Sequence, residues 1–325
     1  MIRVSVSRMA RDGWRCAVLG ASACLFASAL LPTAASAQRT HVVVVAGLSG
    51  EPAFRRSFEV AAGAIREAAR AKWGVADSSL VVLTEDSAVT VLSNGRATRE
   101  RLATTFLALS KRVQPGDVLL IVLMGHGSGE GPASKVNLPG PDPTASDYAS
   151  WLAGFPRQTI VFVNGASGGG DFLPVLAAPA RIIVTATKSS AERNESVFFL
   201  HFAKGLASDE ADANKDGRVS VLEAYRYAKT AVARVYESTN RLQTEHAQIS
   251  DSLLASTVAF GGAQASADPR IIALVAERQA LEAELAVLRS NKATMDAAAY
   301  DKELERLLLA IAEKSQAIRA AGIRR

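Results

Sequence analysis

Beyond residue 37 this chain has no cysteine. Both thiols, Cys16 and Cys24, fall in an N-terminal segment, so the remainder has neither a disulfide nor a thiol nucleophile to draw on. Charge of one sign is also missing. The 37 Lys+Arg stand against 32 Asp+Glu, and removing the four arginines and one aspartate of that segment leaves 33 against 31. With no basic stripe interleaved with aromatics, a nucleic-acid module is not expected. No apolar run reaches the ~20 residues of a membrane span, and no repeat of solenoid length is evident.

The N-terminal segment reads as an export signal. Arg3, Arg8, Arg11 and Arg15 precede an apolar run over residues 17–31, and Ala35-Ser36-Ala37 supplies an A-x-A cleavage site. Residues 1–37 are therefore expected to be removed, leaving a periplasmic or secreted chain from Gln38 without a membrane span. Cys24 is a poor lipid-attachment site, because Ala21 stands where such signals carry an aliphatic residue and much of the apolar run follows it. Hydrophobic residues make up 49% of the sequence, enough for a full core and an appendage.

From residue 41 to about 206, short apolar runs alternate with amphipathic stretches of helical period. That pattern predicts an α/β domain over 38–206 with a parallel sheet covered on both faces. Strands are expected at 41–46, 79–84, 117–124, 159–163 and 181–186. Helices are expected at 54–72, with Phe58, Ala61, Ala62, Ile65 and Ala69 on one stripe, and at 98–113, with Leu102, Phe106 and Leu109.

Chemistry in such sheets gathers at the carboxyl ends of strands, and two ends stand out. The third strand runs into Gly125-His126-Gly127-Ser128-Gly129, and the fourth into Asn164-Gly165-Ala166-Ser167-Gly168-Gly169-Gly170. Glycines there are expected to let the backbone turn and approach a ligand. A histidine after one strand and a hydroxyl after the next form a base and nucleophile pair if the strands are neighbours.

At these residues the chain resembles the legumain family of peptidases and, more distantly, the caspase-like fold. The likeness spans about 165 residues. It rests on the run from Val43 to Gly50 followed by Phe54-Arg55, on the strand leading to Gly125-His126-Gly127, and on Thr159-Ile160-Val161-Phe162-Val163. It implies a caspase-like three-layer sandwich, His126 as the catalytic histidine and a cysteine after the fourth strand. This chain has Ala166 at the ungapped cysteine position and Ser167 one residue on, so cysteine peptidase chemistry is excluded.

Two readings follow. In one, the scaffold has lost its nucleophile and binds a peptide or protein segment between the His126 and Ser167 loops. In the other, Gly165-Ala166-Ser167-Gly168-Gly169 serves as a G-x-S-x-G element and Ser167 acts with His126 as base. His41 is expected to begin a strand, His201 to pack on a helix and His246 to lie on the surface.

The most specific motif spans 212–223. Asp212, Asn214 and Asp216 offer side-chain oxygens at positions 1, 3 and 5 of an EF-hand loop, with Gly217 at the turn. Arg218 offers its carbonyl at 7, Ser220 an oxygen at 9, and Glu223 both carboxylate oxygens at 12. Oxygen ligands at this spacing suit Ca2+ better than zinc. Three carboxylates beside Lys215 and Arg218 predict weak affinity, about 10⁻⁴ to 10⁻³ M. Helices are expected on both sides, at 196–206 and 221–236, the EF-hand loop and its following helix filling 207–254.

Small residues suggest a linker over 255–268, and Asp268-Pro269 a helix start. Residues 269–325 then read as a helical extension, with Leu274, Leu281, Leu285 and Leu288 before a break near 291–297, and Leu304, Leu307, Leu308 and Ile311 after it. An antiparallel hairpin or coiled-coil self-association through 269–320 both fit.

Overall fold

The computed structural model describes residues 39–86, 92–215, 217–260 and 269–322; the export signal read at 1–37 lies outside them, as do Asp216 and Asp268. In chain order, β1 (Thr40–Ala46), α1 (Pro52–Glu67), β2 (Leu80–Leu83), α2 (Arg99–Ser110) and β3 (Val118–Met124) open the domain. A small antiparallel pair, β4 (Gly127–Ser128) and β5 (Lys135–Val136), precedes α3 (Ala145–Leu152), β6 (Thr159–Asn164), α4 (Phe172–Leu176) and β7 (Arg181–Thr185). Helices α5 (Phe198–Ala207) and α6 (Val221–Ser238), strand β8 (Gln248–Ile249) and α7 (Ser252–Thr257) complete it.

The six strands form one sheet in the order β2-β1-β3-β6-β7-β8, parallel except for β8. Every residue of β3 is buried, as a strand covered on both faces requires. Alternation splits the core in two. Val42, Val44, Leu120 and Val122 pack with Phe58 and Ile65 of α1, Phe202 of α5 and Ala228 of α6. Val43, Val45, Leu119 and Ile121 pack with Phe106 of α2, Tyr148 of α3 and Phe172 of α4. The result is helix, sheet, helix: three layers, with each fully buried Phe or Ile contributing about 1.5–3 kcal/mol.

Local chemistry sets the helix ends. Pro52 opens α1, Thr98 caps α2 through the Arg101 amide, and Thr144 with Asp147 forms a capping box on α3. The edge strand β2 is not left open. Asn94 donates its amide to the Val82 carbonyl at 2.7 Å and accepts the Val82 amide on its side chain at 2.8 Å. The stretch read as linker begins inside α7, and Val258 and Ala259 pair with Val221 and Ser220. Beyond it, α8 (Pro269–Ser290) and α9 (Ala297–Gly322) pack on each other as an antiparallel hairpin around Leu285, Leu288, Tyr300 and Leu307.

Asp117 ties the amino ends of β1 and β3 together. Its carboxylate accepts the Arg39 amide at 3.1 Å, the Gln114 amide at 2.8 Å and the His41 Nε2 proton at 3.1 Å. Burial pushes this carboxyl up, and the Gln114, His41 and Arg39 bonds outweigh it and hold it below the ordinary carboxylate range. A lowered folded-state pKa contributes stability above the unfolded value that is lost as pH falls through the folded one. Asp117→Asn is therefore expected to cost about 1–3 kcal/mol in urea unfolding at neutral pH. The variant should also lose less stability than wild type on acidification below about pH 4.

Candidate functional site

β3 and β6 are neighbours, paired from Val118 with Thr159 to Leu123 with Asn164, and the same register continues to His126 opposite Ser167. The two residues singled out in the sequence thus stand side by side, yet their side chains are not joined. His126 Nε2 donates to the Ser49 carbonyl at 3.2 Å, which assigns the ring proton to that nitrogen, and the ring packs against Phe54 at 5.2 Å and Phe58 at 6.3 Å. Ser167 is 2% exposed, and among the described residues its hydroxyl makes no hydrogen bond to His126. Ala166, the alternative position, is fully buried in the core.

The Ser167 loop is braced from within. Asn164 is fully buried and accepts the Ala166 amide on Oδ1 at 3.0 Å. The Gly168 amide donates to the Glu192 carbonyl at 2.7 Å. In a G-x-S-x-G hydrolase the amide after the serine receives the developing oxyanion. Here that amide already has a partner.

The glycines act differently from the sequence expectation. Gly168 does supply a turn, with φ 62°. A Cβ on Gly127 would stand 2.3 Å from the Ser167 carbonyl oxygen, one on Gly165 2.5 Å from Phe199 Cβ, and one on Gly170 2.2 Å from the Ser189 amide nitrogen. These residues let loops lie on one another; the space a ligand was expected to use is occupied by neighbouring chain.

Three carboxylates that the sequence reading passed over hold these loops. Asp171 accepts the amides of Gly131 at 2.8 Å and Ser190 at 3.3 Å. Glu192 accepts the Lys188 amide at 2.9 Å and bonds both the amide and ring of His246, the latter at 2.6 Å. Glu245, 1% exposed, accepts Ser196 Oγ at 2.8 Å and the amides of Val197 and Phe198 at the start of α5. Burial pushes its carboxyl up, against the pull of those donors. His201 is half-buried on α5, its pKa lowered by burial and then by Lys204. Asn164 alone had a local signal, an amide side chain two residues before the backbone it braces.

Next to His126, a pocket of about 570 Å³, counting space open to solvent, is lined by Ser49, Arg55, Phe58, Glu85 and Leu92 among others. Glu85 accepts the Ser49 amide at 2.8 Å and hydroxyl at 2.9 Å and pairs with Arg55. Arg55 also bonds Asp86 at 3.0 Å.

In the 212–223 loop, the Gly217 amide donates to Asp212 Oδ2 at 2.9 Å, and the Asn214 amide to Glu223 Oε1 at 3.2 Å. Gly217 has φ 81° and Lys215 φ 57°, the left-handed turns that fold the loop on itself. Ser220 and Glu223 form a capping box on α6, Glu223 Oε2 accepting the Ser220 amide at 2.9 Å and hydroxyl at 2.8 Å. Among the described residues, which omit Asp216, no group of three His, Cys, Asp or Glu side chains is gathered for a metal. Asp212 and Glu223 are both buried, and each accepts a backbone amide from within the loop.

No protein-family model matches the chain, and no curated protein matches it either.

The contact of Gly127 with the Ser167 loop gives a direct check. Gly127→Ala is expected to force the Ser167 carbonyl aside and cost about 1–3 kcal/mol, read as a lower melting temperature. An unchanged melting temperature would mean that the two loops are not packed as described.

Proposed function

We propose that this is an exported calcium-binding protein with a legumain- and caspase-like domain, which holds a peptide or protein segment without cutting it. The observation that carries the calcium part is the pair of bonds that closes the 212–223 loop, from the Gly217 amide to Asp212 and from the Asn214 amide to Glu223. Asp212, Asn214, Asp216, Ser220 and Glu223, with the Arg218 carbonyl, would hold the ion. Its chemistry there is structural: a hard cation on oxygen ligands fixes the angle between α5 and α6.

Binding without turnover is supported by the state of the cleft. Ser167 is 2% exposed and its side chain is not joined to His126, and the Gly168 amide is taken. The neighbouring pocket offers an apolar floor at Phe58 and Leu92 and polar groups at its rim. No helix among the described residues is long and apolar enough to cross a membrane. Leu308 and Leu309 of α9 remain exposed, which suits self-association through 269–320.

Two measurements test this. Calcium added to chelated protein should raise the melting temperature, by the equivalent of about 2.7 kcal/mol at one hundred times the dissociation constant; no shift would remove calcium from the account. Wild type and Ser167→Ala should both leave a broad peptide and ester library intact, with or without calcium. Turnover by wild type that the substitution abolishes would replace the binding reading with a serine-dependent hydrolase using Ser167 and His126.

A further inference from the structure

EF-hand loops expose a short stretch of backbone where the loop passes into its second helix, and here that stretch is already paired. Ser220 forms an antiparallel bridge with Ala259, and the Val221 amide, the first orphan donor of α6, donates to the Val258 carbonyl at 2.8 Å. Arg218 adds a side-chain tie, Nη2 donating to the Ala259 carbonyl at 3.3 Å. The pairing segment is itself anchored. Val258 is 7% exposed in the same core cluster as Val221 and Leu222, and the Phe260 ring lies 5.0 Å from that of Trp73. Upstream, Asp251 caps α7 through the Leu254 amide at 2.8 Å.

We infer that residues 258–260 act as the partner strand of the calcium loop, so that ion binding and docking of the 251–260 segment strengthen each other. This rests on the calcium reading above. The route is short. Glu223 reaches into the loop through Oε1 and holds Ser220 through Oε2, and the backbone of Ser220 lies against Ala259. An ion that engages Glu223 therefore acts on a residue whose backbone lies against the segment. Coupling between binding and docking is reciprocal: whatever the ion gains from an ordered Ser220 edge, the segment gains from the ion. Because the edge is filled from within the chain, no second loop is needed, and each chain takes one ion without cooperativity.

Hydrogen exchange and calorimetry on the same protein test this. Calcium should bind with a stoichiometry of one and slow amide exchange over residues 252–260. Binding by calorimetry with unaltered exchange there would overturn the coupling and leave the calcium reading standing; no binding at all would overturn both. Arg218→Met keeps the main-chain carbonyl at position 7 and removes only the side chain's hold on Ala259. It should raise the calcium dissociation constant about fivefold, the lower end of usual coupling, and speed exchange over the same residues. Removing a positive charge beside the ion would by itself tighten binding, so equal or tighter binding in the variant counts against the inference.

Discussion

The pairing of β3 with β6 governs where the rest of the molecule can go. Both strands are covered on two faces, so a slip of one residue would exchange the side chains that meet α1 and α5 for those that meet α2 and α3. That penalty locks the register, and the register carries on past the strands to set His126 beside Ser167. The juxtaposition that makes the site look catalytic is thus a consequence of core packing. What the site lacks is the further alignment of imidazole and hydroxyl that packing alone does not supply.

The loops above those strands are held by backbone amides that donate to buried or half-buried carboxylates. Such bonds are stronger than neutral ones, and neutral carbonyl acceptors take further amides, among them the one an enzyme would keep for its oxyanion. Rigidity here and catalytic readiness draw on the same donors. The Glu192 carbonyl on the Gly168 amide and the Asn164 side chain on the Ala166 amide both favour rigidity.

The five parallel strands were legible because burial on both faces leaves continuous apolar runs such as the one in β3, α1 and α2 were legible from their apolar stripes, and α5 and α6 as the segments flanking the 212–223 loop. β8 was not, since two residues, Gln248 and Ile249, carry no periodicity. Nor was α7, whose six residues sit in a stretch of small side chains. For the site, strand order was enough to bring His126 and Ser167 together. The roles of Glu192 and Glu245 were hidden, because each acts across about fifty residues of chain and nothing in the local sequence marks such a partner. The 212–223 loop was the reverse case: its internal bonds run within twelve consecutive positions, so spacing alone could place its turn at Gly217 and the start of α6.

At one rim of the sheet, Asn94 reproduces with its backbone and its side chain the two bonds that another strand would make to Val82. At the other, β8 is only two residues long and runs against the direction of the rest. A parallel sheet this apolar is a hazard when many copies are crowded together, because an open edge recruits further strands and grows into fibrils. A filled margin at β2 and a two-residue strand at β8 leave little regular edge on which a further strand could pair.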